Sequence, residues 1–341
     1  TYLVADIDRG GVFGSVYGTI ALLRPEERVL MKGVIINKFR GDASLFEEGR
    51  SLLKELTGIP VVGVIPWFRD IKIEEEDSVA LDMKNNTYKD GKINVAIILL
   101  KRMSNFTDFD VLEMDPRFNP YYTNNIDEIE KADIILLPGS KNTLSDLQSL
   151  RANGIAMAII RAHKAGKKVI GICGGYQMMG VRLEDPESIE GNIPAIPGLG
   201  LLPQCTVIEQ EKITRQSDFA FLPSSENKDC KGYEIHMGRT TLLGDAPEQP
   251  VARLEDGRTD GYYLNNRCWG SYMHGILDNQ AVLDNLAEGF DTETTTGPFD
   301  YAAFKEEQYD KLAALVREHV DMEYIYNLSL IHISEPTRQA E

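Results

Sequence analysis

The stretch Lys168-Val169-Ile170-Gly171-Ile172-Cys173-Gly174-Gly175-Tyr176-Gln177-Met178-Met179 runs from an apolar strand pattern, through a cysteine bracketed by glycines, into a helical segment. Strand, sharp turn and helix in that order are the context of a nucleophile elbow, whose turn residue projects above the edge of a sheet. Glycines at 171, 174 and 175 permit the tight turn and the close approach of a substrate. The start of the helix beyond favours anionic sulfur and offers backbone N–H groups to an oxyanion. A free cysteine can also end a core strand and pack as a small apolar side chain. Glycine on both sides of Cys173 favours the nucleophile.

Elsewhere in the chain, short apolar runs alternate with amphipathic helical segments, the pattern of an α/β fold with parallel strands and crossover helices. Strands are expected at residues 3–8, 34–39, 61–66, 93–100, 133–137 and 169–172. Residues 45–56 put Leu45, Leu52, Leu53 and Leu56 on one helix face, and Gly58 follows as the stop. A length of 341 residues favours two domains. The acidic and polar run from Glu74-Glu75-Glu76-Asp77 to Asn85-Asn86 and Gly91 has the composition of a connection, which places the boundary near Gly91. The expected domains are therefore residues 1–90 and residues 91–327, the second ending in a C-terminal helix. Residues 328–341 follow that helix without an amphipathic period. Their run Ser329 to Arg338 resembles translated vector sequence and is expected to be extraneous.

A thiolate nucleophile needs a general base, and the chain has five histidines. His332 falls in the tail, and His163 and His319 lie on charged helix patterns. His274, in Gly270-Ser271-Tyr272-Met273-His274-Gly275, ends an apolar strand beside a glycine and is the better base. His236 sits in Gly232-Tyr233-Glu234-Ile235-His236-Met237-Gly238-Arg239, where alternation puts Glu234, His236 and Gly238 on one strand face. The loop Pro138-Gly139-Ser140-Lys141-Asn142-Thr143 joins a strand to a helix capped by Asn142 or Ser140. Its N–H groups, with that of Gly174, fit an oxyanion hole, and an ordinary strand-to-helix turn fits the same spacing.

With 36 basic and 53 acidic residues the chain carries a formal charge of −17, which repels nucleic acid and anionic membranes. No apolar run approaches the ~20 residues of a bilayer span, so no membrane partner and a cytoplasmic location are expected. The four cysteines contain no C-x-x-C pair and are expected to be reduced thiols.

Several long, ordered runs resemble the cobyric acid synthase family. They are Leu3 to Phe13 (with Asp6-Ile7-Asp8-Arg9-Gly10-Gly11), Gly33 to Asp42 (with Asn37-Lys38-Phe39-Arg40-Gly41-Asp42) and Ser104-Asn105-Phe106-Thr107-Asp108-Phe109-Asp110, together with the Pro138–Thr143 loop, the elbow and Gly232 to Arg239. The resemblance spans residues 3 to about 326. It implies a partial dethiobiotin-synthetase-like, P-loop-type ATP domain followed by a class I (triad) glutamine amidotransferase domain. It also implies amidation of the b, d, e and g carboxylates of adenosylcobyrinic acid a,c-diamide late in cobalamin biosynthesis, with glutamine, ATP and Mg²⁺ as co-substrates and no tightly bound cofactor. Cobyrinic acid a,c-diamide synthase, or a silent glutamine- or corrinoid-binding relative, is the alternative.

Carried over by position, Cys173 is the nucleophile and His274 the base, with Gly139, Ser140, Gly174 and Gln177 around the oxyanion and the glutamine. A Glu usually stands two residues after the base in this broad class. Ile276 occupies that place, which leaves the orienting group open, with Glu234 and His236 as candidates. In the ATP domain, Asp6 and Asp8 end a strand where they would hold Mg²⁺, or else cap the turn ahead of Gly10, and Asn37 matches the adenine-reading position. The chain contains no G-x-x-x-x-G-K-[ST] run. The resemblance puts that loop before Thr1, so the chain by itself is expected to lack ATP-dependent amidation.

Overall fold

The computed structural model describes residues 1–72, 87–224, 229–291 and 300–333, with side chains to residue 328. Contacts divide the chain into two units, one of residues 1–73 and 303–341 and one of residues 74–302.

In the first unit, β1 (Tyr2–Asp6), β2 (Gly33–Phe39) and β3 (Val61–Pro66) form a parallel sheet in the order 1-2-3. The expected strands at 34–39 and 61–66 are β2 and β3, whereas β1 stops at Asp6, and Ile7 and Asp8, expected within the strand, lie in the 3-10 turn Ile7–Arg9 that Asp6 caps. Helices Val12–Leu22 and Glu47–Thr57 pack on the sheet through Val16, Ile20 and Leu53, which close over Val34, Ile36 and Val64. Gly58 stops the second helix in the left-handed conformation, at φ 74°. The expected leucine face is only partly realised. Leu53 is fully buried with Phe46 and Ile59, whereas Leu45, Leu52 and Leu56 are exposed. Leu45 lies in the 3-10 turn Ala43–Phe46, whose tighter winding takes it off the stripe that the α-helical period would give it.

The C-terminal helices were expected with the amidotransferase domain, and the structure groups them with the first unit instead. Asp321 N–H donates to Val62 O at 2.8 Å, Val320 bridges to Gly63, and Tyr324 Oη donates to Lys32 O at 2.9 Å. The helix Met322–Ile333 carries its backbone into the tail, whose residues 334–341 lie outside the described residues. The acidic connection Glu74–Asp77 and Asn85–Asn86 also lies outside them. Residues 87–92 already belong to the second unit: Asn119 Nδ2 donates to Thr87 O, and Lys89 N–H donates to Asn94 Oδ1 at 2.8 Å. The division therefore falls upstream of Gly91.

The second unit has a six-stranded sheet built from β4 (Ile93–Ile98), β6 (Phe118–Thr123), β7 (Ile134–Leu137), β9 (Lys168–Ile172), β16 (Tyr262–Asn265) and β17 (Cys268–Ser271), in the order 16-17-9-7-4-6. All neighbours are parallel except β16 and β17. Residues of β4, β7 and β9 are buried throughout, which explains why all but Asn94 and Lys168 among them are apolar or glycine. A two-stranded ladder joins β5 (Met103–Ser104) to β8 (Gly139–Ser140). A further, mainly antiparallel sheet contains β10 (Arg182–Glu184), β11 (Ala195–Pro197), β14 (Ala252–Leu254), β15 (Thr259–Asp260) and β18 (Met273–His274). Its centre is the long pair β12 (Gln204–Phe221) and β13 (Asp229–Leu242). Among the described residues no helix is long and apolar enough to cross a membrane.

Candidate active site

Open α/β sheets place ligands outside the carboxyl ends of their parallel strands. Four segments meet there. Cys173 follows β9, the Gly139–Ser140 segment follows β7, the 99–110 segment follows β4, and Tyr272-Met273-His274 follows β17.

The elbow forms as its sequence requires. Cys173 sits at φ 52°, ψ −110°, a backbone region that L side chains rarely adopt and that persists where the surroundings over-determine it. Helix Gly174–Met179 starts directly after it. A Cβ on Gly175 would overlap the Leu137 carbonyl at the end of β7, and one on Gly171 would lie 2.6 Å from Tyr176 N. Both positions need glycine because strand and helix cross almost in backbone contact. Cys173 is 7 % exposed, with Sγ 3.7 Å from Ile235 O. All four cysteines are free thiols.

His274 is fully buried, and its Nδ1 is 2.7 Å from Asp108 Oδ2. The other oxygen of Asp108 accepts the Gly275 N–H at 2.9 Å. Burial works against a proton on His274, but the Asp108 charge and hydrogen bond, helped by the nearby Cys173 sulfur, lift it to about 10. His274 Nε2 is buried and closes no hydrogen bond, so this nitrogen is left for the Cys173 sulfur or a substrate. Tyr233 stacks on the ring with centroids 5.2 Å apart, and its Oη accepts from Asn105 Nδ2 at 2.7 Å.

Gly139, Ser140, Gly174 and Gln177 gather beside the same elbow. Gly139 and Ser140 are held by the β5–β8 ladder, and Asp146 accepts from Ser140 Oγ at 2.7 Å. A Cβ on Gly174 would lie 2.8 Å from Ser140 N, and one on Gly139 would lie 3.4 Å from His274 Cε1. The helix that follows is capped by Asn142, which accepts from Ser145 N–H. Gln177 is buried. Its Oε1 accepts from Thr143 Oγ1 at 3.1 Å and its Nε2 donates to Tyr272 Oη at 3.3 Å, so both ends of the amide are fixed.

Glu234 and His236 are elsewhere. In the β13–β18 ladder Tyr233 faces His274 and Glu234 faces Met273, so the alternation of the strand turns Glu234 away from the base. Glu234 bonds instead to Arg258 at 3.0 Å and lies 3.9 Å from His236 Nε2. His236 stacks on Tyr272 at 3.8 Å. The orienting position expected for one of these two is taken by Asp108. The signal was the Ser104–Asp110 run together with Ile276 in place of a Glu.

In the first unit, Asp6, the last residue of β1, faces Asn37, which does not end its strand as expected but lies two residues before the end of β2. The hydrogen bond from Lys38 Nζ, at 2.9 Å, holds Asp6 below the usual carboxylate range, and Arg40 grips both oxygens of Asp8 at 2.7 and 2.9 Å. Asp6 also caps the turn Ile7–Arg9 by accepting the Asp8 N–H. Both carboxylates are thus neutralised by side chains, and among the described residues no group of three or more acidic, His or Cys side chains is placed to hold a metal. Mg²⁺ carried by ATP takes one or two carboxylates together with phosphate oxygens, so Asp6 and Asp8 would have to leave Lys38 and Arg40 to hold it.

Residues 94–282 match the family model described as CobB/CobQ-like glutamine amidotransferase domain. The chain is 60 % identical over 326 residues to the cobyric acid synthase of Bacteroides fragilis, covering 96 % of this chain and 66 % of that protein. It is 42 % identical to the cobyric acid synthase of Citrobacter koseri, covering 97 % and 67 %. The chain thus spans about two thirds of the length of these relatives. Among solved structures, PurLQS from Thermotoga maritima aligns at 20 % identity with a TM-score of 0.43, over 57 % of this chain and 99 % of that one. By the family model and these relatives, the chain belongs to the cobyric acid synthase family and carries its CobB/CobQ-like glutamine amidotransferase domain.

Proposed function

We propose that the second unit hydrolyses glutamine at Cys173 and supplies the ammonia for ATP-driven amidation of the b, d, e and g carboxylates of adenosylcobyrinic acid a,c-diamide. The observation that carries the glutaminase half is the juxtaposition of a cysteine on a strained elbow with a buried histidine paired to a carboxylate at 2.7 Å.

In this reading the Cys173 sulfur attacks the side-chain carbonyl carbon of glutamine, and the oxyanion forms beside Gly139, Ser140 and Gly174. His274 then gives its Nε2 proton to the departing nitrogen, the C–N bond breaks and ammonia leaves. In the second half, water adds to the thioester as His274 takes its proton, the C–S bond breaks and glutamate is released. Asp108 keeps the Nδ1–H of His274 pointing away from the sulfur, so that the proton in transit is always on Nε2. The amidation half uses ATP with Mg²⁺ as co-substrate to convert a carboxylate, a poor electrophile, into an acyl phosphate that ammonia attacks. Asn37 is the residue of this chain assigned to adenine. Asp6 and Asp8, paired here with Lys38 and Arg40, are the residues of this chain that would hold the metal.

The names of the relatives favour cobyric acid over a,c-diamide formation. A cytoplasmic location is part of this proposal. The test is glutamate release from glutamine by the purified chain and by Cys173→Ser. Release by the first and not the second is expected, and equal rates would refute the assignment.

A further inference from the structure

Cys173 and His274 deal with the amide end of glutamine, and neither explains how the amino-acid end is chosen. Next to the elbow, Thr143 Oγ1 lies 3.2 Å from where a Cβ on Gly174 would be, 3.1 Å from Gln177 Oε1 and 3.2 Å from Glu190 Oε1. The Glu190 carboxylate is therefore two contacts away from the residue that follows the nucleophile. It also accepts the Leu144 N–H at 3.1 Å, and its own backbone is fixed by Asn142 Nδ2 on its carbonyl and by Asp185 on its N–H at 2.8 Å. A cavity of about 200 Å³ opens beside it, lined by Asn142, Ser145, Asp185, Gly191 and Asn192. Neither Glu190 nor Asp185 has a cationic partner among the described residues, although both line this cavity. Burial, with Asp185 close by, holds the Glu190 carboxyl above its ordinary range. A carboxylate accepts about four hydrogen bonds, and the Leu144 N–H with the single Thr143 hydroxyl proton, shared with Gln177 Oε1, leaves capacity for a ligand.

We propose that Glu190 is the specificity residue for the α-ammonium group of glutamine, pairing with it while the side-chain amide, four bonds away, lies on Cys173. This rests on the glutaminase reading above. It adds that the site selects an α-amino acid rather than any primary amide. The competing role for Glu190 is to cap the helix Thr143–Ala152. Glu190→Gln separates the two, because the glutamine amide oxygen can still accept from Leu144 N–H and its NH₂ can donate to Thr143 Oγ1, whereas the negative charge is gone.

The experiment measures the alkylation rate of Cys173 in the chain and in Glu190→Gln by two electrophiles. One is 6-diazo-5-oxonorleucine, which carries the α-ammonium, and the other is iodoacetamide, which lacks it. Loss of a charge-assisted hydrogen bond predicts a roughly ten- to hundredfold slower reaction with the first reagent. The iodoacetamide rate is expected to be unchanged, which also reports an intact elbow. Equal effects on both reagents, or none on either, overturn the proposal. If the unsubstituted chain reacts at Cys173 with iodoacetamide but not with 6-diazo-5-oxonorleucine, the glutaminase reading itself fails.

Discussion

Replacing Asp108 by Asn removes one charge and almost no volume, and the geometry makes its consequence specific. Both groups bound by the carboxylate are donors, His274 Nδ1–H at 2.7 Å and Gly275 N–H at 2.9 Å. An amide has a single oxygen, so its NH₂ must meet one of the two donors. If the oxygen stays with Gly275, the NH₂ faces Nδ1 and selects the tautomer with its proton on Nε2, which removes the lone pair needed there as base. The charge matters as well. Against its burial, the Asp108 carboxylate and the Cys173 sulfur lift His274 to about 10 and so favour the protonated ring. Without Asp108, burial works against the protonated ring with only the Cys173 sulfur to oppose it. The expected loss in kcat for glutamate release is about 10²- to 10⁴-fold, the range that follows when a catalytic base loses its orienting carboxylate. The assay is glutamate formation from pH 6 to 11, with circular dichroism as the check on folding. A raised folded pKa stabilises the protein below pH 6.5, and this stabilisation is lost as the pH rises through about 10, so the loss should be steeper in the unsubstituted chain than in Asp108→Asn. Activity within about threefold of the original in a folded Asp108→Asn chain would refute the assignment of Asp108 as orienting group.

Glu234→Gln should leave glutamate release nearly unchanged, since Glu234 pairs with Arg258 and faces away from His274; a loss as large as that of Asp108→Asn would show the two carboxylates to be wrongly ranked. Gly175→Ala drives a methyl group into the Leu137 carbonyl and should lower stability by about 1–3 kcal/mol or more in urea unfolding. Lys168 Nζ donates to the carbonyls of Asn285, Leu286 and Glu288, and burial brings its pKa down to about 8. The unfolded chain therefore binds more protons between about pH 8 and 10.5, and stability gained across that window should disappear in Lys168→Met when the two are compared by thermal unfolding.

The legible parts of this molecule are those whose cause is local. The elbow could be read because β9, the turn glycines and the helix Gly174–Met179 are contiguous, and the same holds for the Asn142 cap and the Gly58 stop. Elimination among the five histidines leaves His274 and His236, and the place of His274 at a strand end beside a glycine favours it. Asp108 was not reached, because it meets His274 across 166 residues of sequence and nothing in the periodicity of either segment records the pairing. Glu234 shows the opposite error. It is close to His274 across the ladder, yet the one-residue offset in register puts it on the other face. The C-terminal helix Tyr301–His319 carries a helical pattern whichever unit it packs on, so its attachment through Val320 and Asp321 could only come from the fold.

The most direct test of the account is mass-spectrometric mapping of the chain after incubation with 6-diazo-5-oxonorleucine, with and without excess glutamine. The account predicts modification of Cys173 alone among the four cysteines, suppressed by glutamine. Modification spread over the other cysteines, or none at Cys173 in a folded sample, would contradict it.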